Sequence, residues 1–270
     1  MIPLKNSSKG NQHPQAVCVS CTTRSQCLNA KLTSEEVESL PANFIIRSTL
    51  SKGQFLYRKG EPLNNIYNLR FGSMKSEMIM SDGTRQVTHF SLPGQLLGLD
   101  GIANGKYQVD AVSISNSEVC SITYTNLKKL TNEFPSLMSN LEHSLSALLN
   151  TSNARIFDLA NLNATEKLAD FLIDYANRIS IAGFNRDIFT LPMDRVDLAS
   201  YLGVTIETLS RSITQLEKIG AIRSNNRHIE FVSRNPIFEF LDSTFLREKH
   251  ASKKMMSPQH LEALEKRKVD

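Results

Sequence analysis

Four cysteines are the residues of this 270-residue chain whose type and spacing point most directly to chemistry. Cys18, Cys21 and Cys27 lie close together near the N-terminus, and Cys120 lies far downstream. Polar residues surround the triplet without apolar periodicity, which argues against burial of these thiols as ordinary core side chains. The four thiols therefore predict one tetrathiolate site that ties an N-terminal arm to the body of the protein.

Three kinds of site are possible at these cysteines: disulfides, zinc or an iron–sulfur cluster. The expected cellular compartment and the spacing of the cysteines help to choose among them. The sequence shows neither an apolar signal peptide nor a long apolar membrane span, so we expect a cytoplasmic protein with reduced thiols and no membrane partner. Structural zinc sites usually combine two closely spaced cysteine pairs, whereas here one remote residue completes a triplet. An iron–sulfur cluster accepts that arrangement because each thiolate binds a separate iron. We favour the cluster and keep zinc as the alternative.

The composition sets the scale of the protein and disfavours one class of function. A mass of 30.3 kDa leaves room for two small domains. A net charge of +4 is compatible with nucleic acid without proving it. The sequence contains no G-x-G-x-x-G segment, no P-loop and no evident pairing of a nucleophile with a base. We therefore disfavour a redox enzyme or electron carrier and predict no catalytic residues.

The elements that must position the cysteines change character along the chain. Residues 1–43 are polar and have little intrinsic structure, whereas residues 44–135 contain short apolar runs separated by glycine turns such as Asp82-Gly83. This alternation predicts a small β-roll. Cys120 falls on the last predicted strand, with Ile122 on the same face. The predicted strands are Gln54–Arg58, Ile66–Arg70, Met74–Met80, Gln86–Phe90 and Glu118–Ile122.

A long helix follows, and its sequence carries two apolar stripes. The first contains Leu137, Leu141 and Leu148, which we expect to pack on the β-roll. The second has spacings of four, three, four and three residues, the a/d pattern of a coiled coil. We interpret the second stripe as a seam between two copies of the chain; the alternative is a helix that packs this stripe on its own domain. The seam residues are Leu145, Leu149, Ser152, Ile156 and Leu159.

The C-terminal half contains a winged helix-turn-helix pattern. A helix over Thr165–Arg178 is predicted to begin with a capping threonine. A short helix at Asp194–Leu202, a tight turn at Gly203 and a second helix at Thr205–Ile219 then give the helix-turn-helix, whose second helix enters the major groove of DNA. The strand-like segment Arg227–Val232 is predicted to form the wing, a β-hairpin that follows the helix-turn-helix.

One face of that second helix has side chains able to read bases. Glu207, Ser210 and Arg211 are spaced so that they project together near the N-terminal end of the helix. Arg can donate to guanine, Glu can accept from cytosine, and Ser can contact either base edge. We predict that these three residues read the DNA sequence. Residues expected to contact phosphates, or to be simply solvated, are Lys218, Arg223, Arg227 and His228.

The β-roll, long helix and winged helix-turn-helix, in this order, resemble the CRP/FNR superfamily of bacterial transcription regulators. The four cysteines and the reading-helix segment Thr205–Arg211, with Ile206 and Ser210, resemble the FNR branch. The resemblance implies an α+β fold: a cyclic-nucleotide-binding-like β-roll, a dimerisation helix and a DNA-binding domain. It also implies a homodimer that responds to anaerobic conditions, carries an oxygen-labile [4Fe–4S] cluster and binds palindromic double-stranded DNA with TTGAT-like half-sites.

The resemblance leaves one alternative and several departures. The alternative is a CRP-like regulator with zinc or no metal at its cysteines and another ligand in the β-roll. We expect no cyclic nucleotide, because Gly98-Leu99 and the segment Gln108–Ala111 replace the family's phosphate-binding Gly-Glu and Arg-Ser pairs, and Asp110 would repel phosphate. RNA polymerase is an expected partner, with the turn Ser81–Arg85 as the candidate contact. Gln26, Ser152 and Ser212 depart from the FNR pattern.

Five segments summarise the predicted organisation. They are the arm (1–43), the β-roll (44–135), the dimerisation helix (136–162), the winged helix-turn-helix domain (163–235) and a C-terminal extension (236–270) that reads as a short helix or a disordered basic tail.

Overall fold

The computed structural model describes residues 5–6, 18, 21–41 and 44–240. The chain divides into two compact units, Met1–Ile156 and Phe157–Asp270. The predicted dimerisation helix therefore contributes residues to both units. The helix or basic tail predicted beyond residue 240 lies outside the described residues.

The first unit is a β-roll of two antiparallel sheets. One sheet has the strand order β1-β2-β9-β4-β7 and the other has the order β3-β8-β5-β6. In chain order the strands are β1 (Lys5–Asn6), β2 (Ile46–Leu50), β3 (Phe55–Tyr57), β4 (Asn65–Phe71), β5 (Met74–Ile79), β6 (Arg85–Ser91), β7 (Leu96–Leu97), β8 (Asp110–Ser113) and β9 (Ser117–Thr123). Each of the five strands predicted from the sequence is present, with ends shifted by no more than a residue or two.

Tight turns between the strands depend on glycine where the backbone has a positive φ. Gly72, between β4 and β5, has φ +87°, and a Cβ atom there would lie 2.5 Å from the carbonyl oxygen of Asn116. Gly83, at the tip of the β5–β6 hairpin, has φ +84°. The Asp82 carboxylate accepts from the amide of Thr84 at 2.8 Å and closes that turn.

Among the described residues, three α-helices contribute to the first unit: α1 (Ser34–Ser39), α2 (Tyr124–Glu133) and α3 (Pro135–Asn161), whose last five residues belong to the second unit. Leu137 and Leu141 on α3 are buried, and Leu148 packs partly against the same core. The arm contributes Leu28 and Leu32 to this core, so arm, β-roll and first stripe share one hydrophobic cluster.

The second stripe of α3 faces away from that cluster. Leu145, Leu149 and Ile156 are 38%, 61% and 66% exposed, and Ser152 is exposed as well. The structure thus separates the two stripes as predicted. The alternative, in which the chain's own domain covers the second stripe, does not hold for these residues.

The second unit contains the predicted winged helix-turn-helix. Its sheet has the order β10-β12-β11. Across the part of the chain that the structure describes, no helix combines the length and apolar character that a membrane crossing requires. The elements are α4 (Ala164–Ile181), β10 (Ile188–Thr190), α5 (Arg195–Leu202), α6 (Ile206–Lys218), β11 (Ile222–Asn225), β12 (His228–Phe231) and α7 (Asn235–Phe240).

The prediction that Thr165 caps α4 is wrong. Asn163 is the cap: its side chain accepts from the amides of Thr165 and Glu166, and the Glu166 carboxylate accepts from the Asn163 amide at 2.7 Å. This reciprocal capping box satisfies more of the free amide groups than a lone threonine could. Thr165 is instead buried, and its hydroxyl donates to the side-chain oxygen of Gln215 on α6 at 2.9 Å.

Candidate cysteine site and nucleic-acid interface

The four cysteines line one cavity in the first unit. Cys120 lies on β9, and its partners across the sheet are Arg47 on β2 and Asn68 on β4. The other three cysteines come from the arm. The empty space, part of it open to solvent, measures about 550 Å³. Its apolar wall includes Phe44, Ile45, Ile66, Leu96 and Ile122.

Successive backbone turns bring the arm cysteines together. The amide of Cys21 donates to the carbonyl of Cys18 at 3.3 Å, and the amide of Arg24 donates to the carbonyl of Cys21 at 3.1 Å. Cys27 in turn donates to the carbonyl of Arg24 at 3.2 Å. The Arg24 guanidinium also donates to the carbonyl of Leu32, which closes the arm into a compact loop. The short spacing of the triplet therefore corresponds to local turns.

Gln26, which departs from the FNR pattern, lies beside Gly94. A Cβ atom added to Gly94 would lie 2.6 Å from the Cβ of Gln26. Gln26 therefore packs on the turn between β6 and β7 and is not one of the residues that line the cavity. A side chain at Gly94 would displace the arm at this point.

Asn29 connects two of the cysteines. Its backbone amide donates to Cys27 Sγ at 3.4 Å, and its side-chain amide lies 3.9 Å from Cys18 Sγ. The residue is only 2% exposed, and its Oδ1 has no hydrogen-bond partner. Cys21 has a different polar neighbour, Thr23, whose hydroxyl lies 3.3 Å from its sulfur. Neither neighbour was predicted from the sequence.

The surroundings of the cavity shift the pKa values of the four thiols in different directions. Burial raises the pKa of Cys27 to about 11 and that of Cys120 to about 12. Burial also raises the pKa of Cys18. At Cys21 burial acts in the same direction, but hydrogen bonds from Thr23 and Arg70 outweigh it and the pKa is lowered. The raised pKa values keep Cys18, Cys27 and Cys120 protonated at neutral pH unless they bind a cation.

Two arginines and one carboxylate stand beside the thiols. Arg70 on β4 donates to Glu118 at 2.9 Å, and Arg47 on β2 lies 3.8 Å from the same carboxylate. Both guanidinium groups also interact with cysteines, Arg47 with Cys120 and Arg70 with Cys21. The pair supplies more positive charge than Glu118 neutralises, which favours an anionic group in the cavity.

The donor set is of the kind that a polynuclear cluster uses. In the described ranges, no three His, Cys, Asp or Glu side chains converge closely enough to hold one metal ion. Zinc would need four sulfurs at about 2.3 Å from a common centre. A cluster instead binds each thiolate at a separate iron, so the thiols can stand around a larger space. Four cysteines around a cavity with neighbouring cations meet that requirement.

The interior of the β-roll is occupied by tyrosines. Tyr57 stacks on Tyr107 with ring centroids 3.8 Å apart, and both rings are buried. The Tyr107 ring also fills the space beside Gly98, where an added Cβ would lie 3.1 Å away. Asp110 is buried and accepts from the amide of Lys59 at 2.7 Å. The segment that we compared with phosphate-binding residues thus takes part in the packing of the roll.

Side chains cap the N-terminal ends of both helices of the helix-turn-helix. Asp194 caps α5 by accepting from the amide of Asp197 at 2.8 Å, and Thr205 caps α6 by accepting from the amide of Thr208 at 3.2 Å. Gly203 ends α5 with φ +65°, a conformation that favours glycine. Leu159, at the end of α3, packs against this turn and would lie 3.1 Å from a Cβ at Gly203.

Helix α6 has a buried apolar face and an exposed polar face. Leu209, Ile213 and Leu216 are buried, whereas Glu207, Ser210 and Arg211 are all exposed. Hydrogen bonds to its own backbone and to Thr205 lower the pKa of Glu207, which keeps its carboxylate an acceptor. The hydroxyl of Ser210 donates to the carbonyl of Ile206 at 3.0 Å. The three predicted reading residues therefore share one solvent-accessible surface.

Several basic residues around the wing are engaged within the protein. Arg227 donates to the carbonyl of Pro192 at 3.1 Å, and Arg223 lies 3.4 Å from Glu230. Arg195 donates to the carbonyl of Asn226 at the tip of the β11–β12 hairpin. These contacts fix the wing on the helix-turn-helix. A β-roll, a long helix and a winged helix-turn-helix with a polar reading face define a DNA-binding transcription regulator.

Comparisons with known proteins agree with this architecture. Residues 47–134 match the cyclic nucleotide-binding domain family, and residues 166–235 match the Crp-like helix-turn-helix domain family. The chain is 32% identical over 219 residues to the transcriptional activator protein Anr of Pseudomonas aeruginosa, a match that covers 81% of this chain and 90% of that protein. An anaerobic regulatory protein of Haemophilus influenzae is 32% identical over 222 residues, covering 82% and 86%.

A solved structure shows the same fold. FixK2 from Bradyrhizobium japonicum is 27% identical and superposes with a TM-score of 0.67, covering 74% of this chain and 98% of that one. The chain belongs to the CRP/FNR superfamily of transcription regulators, within its FNR branch. Proteins of this family are transcription regulators.

Proposed function

We propose that this chain is a cytoplasmic, homodimeric regulator of the anaerobic response whose DNA binding is switched by an oxygen-labile [4Fe–4S] cluster. The observation that carries the proposal is the single cavity lined by all four cysteines. The names of similar proteins, which include anaerobic regulatory proteins, support the physiological part. Cyclic nucleotides are not part of the proposal, because Tyr107 fills the space beside Gly98.

Cys18, Cys21, Cys27 and Cys120 would hold the cluster as thiolates. When bound, the cluster would supply a linkage between arm and β-roll that oxygen destroys. Arg47 and Arg70 would offset the negative charge of the thiolates, and Glu118 holds both guanidinium groups close to the cavity. Asn29 would keep Cys18 and Cys27 in position through its two amide groups.

The exposed stripe of α3 would pair with its counterpart in a second chain. The dimer would then present two reading helices to half-sites about one helical turn, roughly 34 Å, apart on palindromic DNA. Binding of the second helix would be effectively intramolecular, so a dimer binds far more tightly than a monomer. Glu207, Ser210 and Arg211 would read TTGAT-like half-sites. Ser152 leaves the seam weaker than a fully apolar one, which suits a dimer that must be switched.

A transcription activator also contacts RNA polymerase, and the β5–β6 hairpin is the proposed contact. The turn Ser81–Arg85 is exposed at the tip of this hairpin. Met78, Ile79 and Met80, at the end of β5, are 42%, 38% and 56% exposed. Exposed apolar side chains next to a polar turn are typical of surfaces that bind another protein.

Anaerobic purification tests the cluster directly. The expected product is a coloured protein that contains iron and acid-labile sulfide and binds a duplex with two TTGAT half-sites. Exposure to air should bleach the protein and release the DNA. The Cys120→Ser variant should be colourless and should not bind the duplex even without air. Colourless protein that contains zinc, or no metal, from cells with working cluster assembly would support the CRP-like alternative and refute the proposal.

A further inference from the structure

The arm and the long helix are joined by a buried hydrogen bond. The side-chain amide of Asn140 on α3 donates to the carbonyl of Leu28 at 2.8 Å. Asn140 is 7% exposed and Leu28 is 6% exposed, so water does not compete freely for either group. A second contact between the same segments, from Lys31 to Ser139 at 3.3 Å, lies on the surface. Polar contact between arm and helix is thus strongest at Asn140.

This bond lies between a proposed cluster ligand and the proposed dimer seam. Leu28 directly follows Cys27, so holding Cys27 in the cavity also holds the carbonyl that Asn140 requires. Asn140 lies little more than one helical turn before Leu145, the first seam residue. Because an α-helix is stiff over a few turns, a change of contact at Asn140 alters how the following stripe is presented.

We propose that Asn140 is the positioning residue through which the state of Cys27 reaches the dimer seam. The inference rests on the proposed function, since it assumes that Cys27 is a ligand. With Cys27 held, the Leu28 carbonyl is fixed and α3 is anchored against the arm. With Cys27 released, the Asn140 amide loses a fixed partner inside the core, and an unpaired buried donor favours rearrangement of the helix.

Thermodynamic linkage provides the test. The coupling between cluster binding and dimerisation is measured by the coupling ratio, which is the dimer Kd of the cluster-free protein divided by that of the loaded protein. The full chain is purified anaerobically, and this ratio is measured by analytical ultracentrifugation for wild type, Asn140→Leu and Ser139→Ala. Leucine has the same number of side-chain heavy atoms as asparagine but cannot donate. Ser139→Ala removes the exposed contact between the same segments and is the matched control.

We expect Asn140→Leu to reduce the coupling ratio by about tenfold or more while its iron and sulfide content stays at the wild-type level. Ser139→Ala should keep the wild-type ratio. By reciprocity, saturating DNA should raise the chelator concentration that removes half of the iron at equilibrium, and should do so much less in Asn140→Leu than in wild type. A residue that only stabilises the fold would shift this concentration equally with and without DNA.

The outcomes separate this inference from the proposed function. A wild-type ratio in Asn140→Leu overturns the role of Asn140 and leaves the cluster switch intact. A loaded wild-type protein that dimerises no better than the cluster-free protein overturns both. If Asn140→Leu fails to load, Asn140→Ala, which is smaller and also cannot donate, carries the test. A reduced ratio supports the role of Asn140, and an unchanged ratio refutes it.

Discussion

Replacing Ile156 by Ala tests whether the exposed stripe of α3 is the dimer interface. Ile156 is 66% exposed in the single chain. Full burial of an isoleucine side chain stabilises by about 1.5–3 kcal/mol, so burying its exposed two-thirds contributes about 1–2 kcal/mol. A two-fold symmetric dimer buries the residue twice. The substitution should therefore cost about 2–4 kcal/mol per dimer, which raises the dimer Kd about 30- to 1,000-fold.

Sedimentation velocity over a range of protein concentrations, on anaerobically purified chain, measures this change. Asn150→Ala is the control because Asn150 is exposed on the opposite side of the same helix, and it should leave Kd within about twofold. Since Ile156 makes little contact in the single chain, melting of the cluster-free monomer should be unchanged. A dimer of the Ile156→Ala protein with the wild-type Kd would exclude the stripe as the interface.

Three further predictions concern separate parts of the chain. Arg211→Ala should remove about 1–3 kcal/mol of discrimination between cognate and scrambled duplexes without changing iron content; retained discrimination would refute its reading role. Above pH 9.0, cluster-free wild type should lose stability faster than Cys120→Ala, by up to about 1.4 kcal/mol per pH unit. The reason is that folding raises the pKa of Cys120 from 9.0 to about 12, so only the unfolded chain releases this proton; equal slopes in urea unfolding would contradict this. Thr165→Val should destabilise the second unit by about 1–3 kcal/mol, because Gln215 and Ser212 lose their partner; an unchanged urea midpoint would show that water replaces the hydroxyl.

Local signals in the sequence predicted the elements of the fold. Gly83 lies at the hairpin tip, and Asp194 and Thr205 cap the two helices of the helix-turn-helix. Each of these features depends on a few consecutive residues, which is why it can be read without a structure. The error at Thr165 has the same origin. Asn163 and Glu166 form a recognisable capping box that a search for single capping residues overlooks.

The surroundings of the cysteines could not be predicted in the same way. Arg47 lies opposite Cys120 because β2 pairs with β9 in one register, and a shift of one residue would turn the guanidinium to the other face. Asn140 meets Leu28 only because the arm folds back onto α3. Such contacts join residues that are distant in the chain, and no local propensity encodes them. The sequence therefore predicted the thiols but not the charges and amides that control them.

The division of α3 into two stripes explains how a modest change at the cysteines could control assembly. A cluster can shift the dimer equilibrium only by the difference between its interactions in the two states. That difference must therefore be comparable to the strength of the seam, and a seam with Ser152 at its centre needs a smaller difference than a fully apolar one. Leu141 packs with the arm in one core, and Leu145 is exposed on the next turn of the helix. The contact with the arm and the start of the proposed seam therefore lie within one short stretch of α3.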